Sequence, residues 1–314
     1  MPKTAQRREG RETFTNVMGG TSSAVVVGAD SKEHERALLA LAENRLRDLE
    51  DKWTRFNKNS EISLLALAEG QPVAVSADTR GLVAAMADAW AMTGGVVDAS
   101  VLPAVLAAGY THSAVNSAVT ATVPNWAWVG ADWRQVIIDE QNGTVALPPG
   151  LAPDPGGIGK GLAADLVVAE LLRAGASGAL VEIGGDLRCA GAPPREGGWS
   201  VDVDHPLHEG SLTNLAIQEG AVATSSTMKR RFVDRFGNPS HHLIGRDGRP
   251  AEHGLATCTV VIGTGVLAET LAKVPLLAGE EDGLALLEQY EVPALLVRLD
   301  GSVRKTTGWE RVAK

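Results

Sequence analysis

Two cysteines in 314 residues, Cys189 and Cys258, give no basis for a disulfide framework. Each stands inside an apolar, strand-like run, so both are expected as buried thiols in a reducing compartment. No apolar run approaches the roughly 20 residues needed to span a bilayer. The opening MPKTAQRREGRETFTNVMGG carries charges but neither an apolar h-region nor a small-residue cleavage site. The expectation is a cytoplasmic protein without a membrane span. Positive charge is also in deficit: 29 Lys and Arg against 38 Asp and Glu leave a net charge of -9. That argues against nucleic acid as a partner, because phosphate backbones are held by clustered basic side chains. Missing too are the GxGxxG dinucleotide fingerprint, the Walker pattern, a zinc-type spacing of His and Cys, and any distinctive Ser-His-Asp or Cys-His order. No internal repeat and no Pro- or Ser-rich linker divides the chain.

What remains is an ordinary globular composition, 44% hydrophobic and 21% charged, in a chain long enough for a sizeable core. Residues 1–15 read as a polar N-terminal arm and residues 16–314 as a single domain. The chain is organised around Asp154 to Asp165, DPGGIGKGLAAD, where four glycines precede an amphipathic helix pattern. Glycines admit positive φ and close approach of another group, and a helix start offers unpaired N–H groups and a positive dipole end. Lys160 adds a positive charge. The stretch reads as an anion-binding loop, with a plain connector as the alternative. A second glycine turn, Gly184-Gly185-Asp186, follows the next expected strand.

The remaining pattern alternates strands and helices. Ser22 to Val27 reads as a strand and Lys32 to Lys52 as a helix with Leu38, Leu41, Leu46 and Leu49 inward. Ser60 and Ser76 are placed to cap helices, the second running to about Met92 and ending at Thr93-Gly94-Gly95. Asp98 or Ser100 is placed to cap the apolar helix that follows. Residues 110–131 read as loop. A hairpin turned by Asn142-Gly143 follows, then helix Leu162 to Leu172 and strands near residues 179–183, 187–190, 199–203, 212–217, 221–224 and 257–262. A helix from Val266 to Leu277, another from Leu284 to Gln289 and a last strand, Ala294 to Leu299, close the chain. Strands outnumber the crossover helices of a parallel sheet, which predicts an α+β fold: a mixed, largely antiparallel sheet core flanked by helices.

Several side chains have the chemistry for a site. His242, in SHHLIGRDG, is of the type that serves as a general base near neutral pH, although a loop histidine bonded to backbone is the commoner case. Thr224 to Thr227 suits either a phosphate contact or a polar strand end. Glu269 and Lys273, four apart on one helix, have the spacing of a solvated ion pair.

Taken together and in order, Met18-Gly19-Gly20-Thr21, Arg55-Phe56 through Ser63, Gly94 to Ser100, Asp154 to Asp165, Gly184-Gly185-Asp186, Ala223 to Ser226 and SHHLI resemble the ApbE-type FAD:protein FMN transferase family. The likeness runs from about Val17 to Gly279. It implies an FAD cleft between lobes and a magnesium-dependent enzyme that moves the FMN half of FAD onto a Thr or Ser of an acceptor protein. Hydrolysis of FAD to FMN and AMP, and flavin binding without catalysis, are the alternatives. By the resemblance, Met18, Phe56, Val96, Val97 and Asp98 line the flavin and adenine sites. Asp154, Lys160 and the backbone at Ile244 complete FAD binding, the Gly157 carbonyl faces the metal, and His242 deprotonates the acceptor hydroxyl. Two departures stand out. Glu269 and Lys273 occupy the places of the family's helical metal ligands, Asp and Thr; an ammonium group is no ligand, so magnesium is expected to be weakly held, with Lys273 partly replacing its charge. After Ile244 the family's Asp-Pro-Arg-Thr-Gly becomes Gly245-Arg246-Asp247-Gly248.

Overall fold

The computed structural model describes residues 8–112, 118–121, 123–234 and 237–313. Its centre is an eight-stranded sheet whose spatial order follows the chain: β1 Glu9–Val17, β2 Gly20–Val27, β3 Gly178–Ile183, β4 Asp186–Gly191, β5 Gly220–Ser226, β6 Leu255–Ile262, β7 Ala294–Arg298 and β8 Val303–Lys305. Every pairing in it is antiparallel, with register Ser22↔Ile183 between β2 and β3 and Ala221↔Ile262 between β5 and β6. The α+β expectation holds, and the described strands need no parallel component.

Period-two alternation sends each strand to two different layers. Ala24 and Val26 of β2, Ala179 and Val181 of β3 and Cys258 and Val260 of β6 join the helices in the main core. Val25 and Val27, Cys189, Val222, Val261 and Val297 face the other way, under a hairpin formed by Trp199–Asp204 and Ser211–Ile217 and under Trp309. Both thiols are buried and unpaired, on opposite faces of the sheet.

The long excursion between β2 and β3 carries α1 Lys32–Trp53, α2 Glu61–Leu67, α3 Ala77–Met92, α4 Leu102–Ala108 and α5 Gly159–Arg173, together with a small sheet made by Val73–Ala74, Ile137–Asp139 and Thr144–Ala146. Ser31, Ser60 and Ser76 each accept a first-turn N–H, as the N-cap chemistry of serine favours. In α1, Leu38, Leu39, Ala42, Leu46, Leu49 and Trp53 form one buried stripe. After β6 come α6 Gly265–Leu271, α7 Val274–Ala278 and α8 Glu280–Gln289.

Three local readings change. Residues 9–15 of the expected arm belong to β1, an edge strand that buries Gly10, Phe14 and Val17 and turns its polar residues to solvent; residues 1–7 lie outside the described chain. The expected helix from Val266 to Leu277 is two helices, because Pro275 has no N–H to give Leu271. Neither Asp98 nor Ser100 caps α4, whose N-cap is Val101 with no side-chain bond.

α5 and α6 cross at glycine. A Cβ on Gly161 would stand 2.2 Å from the Gly265 carbonyl oxygen, and one on Gly265 would stand 2.4 Å from that of Gly161, so neither position admits a side chain. The start of α6 has no cap of its own. Asp165 of α5 supplies it, accepting the N–H groups of Gly265 at 2.7 Å and Val266 at 3.0 Å.

Candidate functional site

The crossing of α5 and α6 fixes one wall of a cleft of about 370 Å³, within the range of about 300–1,000 Å³ typical of small-molecule sites. Asp154 shapes the loop that enters α5. Its Oδ1 accepts Gly156 N–H at 2.9 Å and its Oδ2 accepts the Arg55 guanidinium at 2.7 Å, while its own N–H is held by the Ala99 carbonyl at 2.7 Å. The short turn Pro155–Gly157 then delivers the N-terminus of α5, with Gly157, Gly159 and Lys160, to the cleft lining. Unpaired N–H groups and the helix dipole make that end attractive to an anion.

Lys160 is held between two carboxylates. It donates to Asp186 Oδ2 and lies 3.0 Å from Glu269 Oε1. The second glycine turn accounts for Asp186: Gly184 and Gly185 take φ of 60° and 96°, and the chain reverses so that Asp186 Oδ1 accepts Thr224 N–H at 3.0 Å and Oδ2 meets Lys160. Burial disfavours the Lys160 charge, but Asp186 and Glu269 outweigh it and hold the ammonium above its ordinary pKa. Glu269 is fully buried rather than on a solvated face. Its Oε2 accepts Gly161 N–H at 2.8 Å, and Lys160, Lys273 and that N–H together keep it ionised against burial, below its ordinary value. Lys273 is buried as well, with Nζ 3.7 Å from Glu269 Oε1 and donating to the Glu269 carbonyl at 2.8 Å. Burial lowers its pKa, with Glu269 and Asp186 pulling the other way and Lys160 and Arg230 reinforcing the fall.

Of the residues singled out in the sequence, Met18, Phe56, Val97 and Asp98 reach the lining, as do Asp154, Gly157, Lys160, His242, Ile244 and Lys273. Val96 packs half-buried against the main core instead, and Glu269 stands behind Lys160 and Lys273. Asp98 accepts the Trp133 indole N–H at 2.9 Å and the Ser100 N–H at 2.8 Å, which points its carboxylate where the capping reading did not. His242 lies in the lining, and its Nδ1 is buried without a hydrogen-bond partner among the described residues. Burial, then the charges of Arg230 and Lys273, push its pKa down to about 3. Its neighbour His241 is spent on structure, contacting the Ala251 carbonyl through Nε2 and accepting Leu243 N–H at Nδ1.

Two lining residues, Tyr110 and Arg230, carry no sequence signal, and Arg55, though part of the Arg55-Phe56 match, has no role assigned from sequence. The Arg55 guanidinium lies over Phe56 and Tyr110, 5.0 and 5.3 Å from their ring centroids, and Tyr110 stacks on Phe232 at 5.7 Å. Tyr110 falls in a stretch read only as loop. Arg230, at φ 49°, has no hydrogen bond or ion pair among the described residues. The altered segment after Ile244 is a tight turn closed by Gly245 N–H to the Arg249 carbonyl, and Arg246 reaches across to the Gly94 carbonyl.

A divalent cation suits this arrangement poorly. Glu269 Oε2 accepts Gly161 N–H. Its Oε1 has no hydrogen bond among the described residues but lies 3.0 Å from the Lys160 ammonium and 3.7 Å from that of Lys273, which a cation at this oxygen would have to meet. No group of three or more His, Cys, Asp and Glu among the described residues is placed to hold a metal.

A helix N-terminus, fixed ammonium groups and aromatic rings in one cleft on an antiparallel α+β scaffold define an anion-binding protein with room for a ring system. The chain belongs to the ApbE family, whose model matches residues 18–296. It is 25% identical over 293 residues to the FAD:protein FMN transferase of Haemophilus influenzae, covering 90% of this chain and 83% of that protein. To the FAD:protein FMN transferase of Vibrio cholerae it is 25% identical over 283 residues, covering 89% and 85%. Among solved structures, the Pseudomonas stutzeri flavinyl transferase ApbE in its apo form shares the fold at TM-score 0.81 and 24% identity over 99% of this chain and 98% of that one. The ApbE protein of Thermotoga maritima does so at 0.83 and 23%, over 98% and 100%.

Proposed function

We propose that this chain transfers FMN from FAD to a hydroxyl of an acceptor protein, a Thr or Ser, and releases AMP. The observation that carries this reading is the Lys160 ammonium, held by Asp186 and Glu269 at the mouth of α5, inside a cleft whose other side offers Phe56 and Tyr110. Family membership and relatives named for this activity support it.

FAD lies with its diphosphate against the N–H groups of α5 and Lys160, and with its rings along Met18, Phe56, Val97 and Asp98. Asp154 shapes the loop and Ile244 contributes backbone. His242, neutral in the free protein, takes the proton of the acceptor hydroxyl. The hydroxyl oxygen forms a bond to the flavin-side phosphorus. The bond from that phosphorus to the bridging oxygen breaks, and the electron pair leaves on AMP. Positioning and charge stabilisation supply most of the acceleration in such transfers. With water in place of the acceptor, the same steps give FMN and AMP. The single domain, which takes in β1 from Glu9 onward, is the unit of function. No helix of the described chain is long and apolar enough to cross a membrane, and two free thiols suit a cytoplasmic site.

The test is AMP release from FAD, followed by chromatography, in the wild type and in Lys160→Met and His242→Ala. The reading expects release in the wild type and a loss of about 10²-fold or more in each variant, the usual worth of such groups. Unchanged FAD in the wild type would refute it.

A further inference from the structure

We infer that Lys273 is a built-in cation for the diphosphate, and that this chain binds and activates its flavin dinucleotide without a divalent metal. The inference rests on the flavin reading above and concerns how the negative charge of that ligand is met.

The backbone is arranged to aim this ammonium. In a continuous helix Lys273 N–H would bond to the carbonyl four residues back, that of Glu269. Here it bonds to Thr270 at 3.2 Å, because the helix breaks between α6 and α7. The Glu269 carbonyl is left free, and the Lys273 side chain folds back to occupy it at 2.8 Å. An ammonium group has three N–H donors. The carbonyl takes one, and Glu269 Oε1, at 3.7 Å, is an ion-pair partner beyond hydrogen-bond range. Donor capacity therefore remains on a residue that lines the cleft.

Gly157 leaves room for the Lys273 side chain to run beside it. A Cβ built on Gly157 would lie 3.1 Å from Lys273 Cε and 3.8 Å from Nζ, so the ammonium stands against the loop that turns into α5. A side chain there would push it away. Lys160 approaches the same oxygen of Glu269, at 3.0 Å, and Arg230, without a hydrogen bond or ion pair among the described residues, lies in the same lining. Lys160 and Lys273 thus share the Glu269 carboxylate, Lys160 alone also holds Asp186, and Lys273 and Arg230 keep charge to offer a diphosphate. Glu269 stabilises both lysines at once. A divalent ion recruited to Glu269 would have to displace them or lie beside them, and like charges at such range repel.

FAD affinity decides the matter. Protein stripped with EDTA is titrated by flavin fluorescence with and without magnesium chloride, and manganese binding in the presence of FAD is read by electron paramagnetic resonance. The expected result is the same FAD affinity in both conditions and no bound manganese. Lys273→Thr, which offers an oxygen in place of the ammonium, is expected to weaken FAD in EDTA by about tenfold or more, the worth of one charge-assisted hydrogen bond, with recovery on adding magnesium. Lys273→Arg is expected to keep metal-free binding. Wild-type affinity that falls tenfold or more in EDTA, or one manganese bound per chain, would overturn the inference and leave the flavin reading standing; these wild-type arms hold even where a variant fails to fold. No FAD binding in either condition would contradict the flavin reading and this inference with it.

Discussion

Lys160 Nζ and Glu269 Oε1 lie 3.0 Å apart, joining the first turn of α5 to the middle of α6 across the crossing of the two helices. The other oxygen of the same carboxylate holds the N–H of Gly161, the next residue along. One side chain therefore aligns the helix end, places the ammonium and balances the second lysine. The site and the packing beneath it are a single construction.

Glu269→Gln keeps the shape and removes the charge. Two buried ammonium groups then lose their shared counterion, a defect of about 3–5 kcal/mol in comparable cases. A thermal melt is expected to show a drop of many degrees at neutral pH. In the wild type this contribution is present above the ordinary carboxylate pKa and lost as pH falls through the lower folded value, so the gap between the two proteins should narrow in acid.

Gly161→Ala places a methyl group 2.2 Å from the Gly265 carbonyl oxygen, a backbone atom with nowhere to move. Separating the helices costs more than ordinary overpacking, about 1–3 kcal/mol. Urea unfolding followed by circular dichroism is expected to show a loss of at least that size, and an unchanged midpoint would contradict the close crossing.

His242 predicts an unusual pH profile. With its pKa pushed down to about 3, it is already neutral at pH 5.5, so kcat/KM for AMP release should show no acid limb near 6.5 from this residue. Stability behaves differently. The unfolded chain takes up a proton at this position below about 6.5, whereas the native chain does so only near 3, so acidification through that window favours unfolding. His242→Gln should flatten that part of the stability curve.

Arg55→Met removes the 2.7 Å bond to Asp154 and the cation above Phe56 and Tyr110 while keeping an apolar stem. FAD affinity by fluorescence titration is expected to fall about tenfold, since a charged hydrogen bond and a cation–π contact are lost together. Helix content should remain that of the wild type.

Much of this was legible in the sequence where local chemistry decides structure. Ser60 and Ser76 cap helices as serine should, the glycines before Asp186 mark a reversal, and the strand-rich pattern points to an antiparallel α+β fold. Edge strand β1 was hidden because one face is in water and its polarity looks like an arm. Asp98 was misread as a cap because its true partner, Trp133, lies 35 residues away in the chain. Glu269 and Lys273 have the spacing of a surface pair, and spacing carries no information on burial; only the crossing of α5 over α6 puts them inside. Tyr110 and Arg230 sit in irregular segments where periodicity has nothing to report.

The most direct test of the account is to incubate the chain with FAD and a Thr-bearing acceptor peptide, in EDTA and in magnesium, and to read the peptide by intact mass and the nucleotide by chromatography. The account predicts an FMN adduct on the peptide, with one AMP per adduct, in both conditions. An unmodified peptide with FAD intact in both would contradict it.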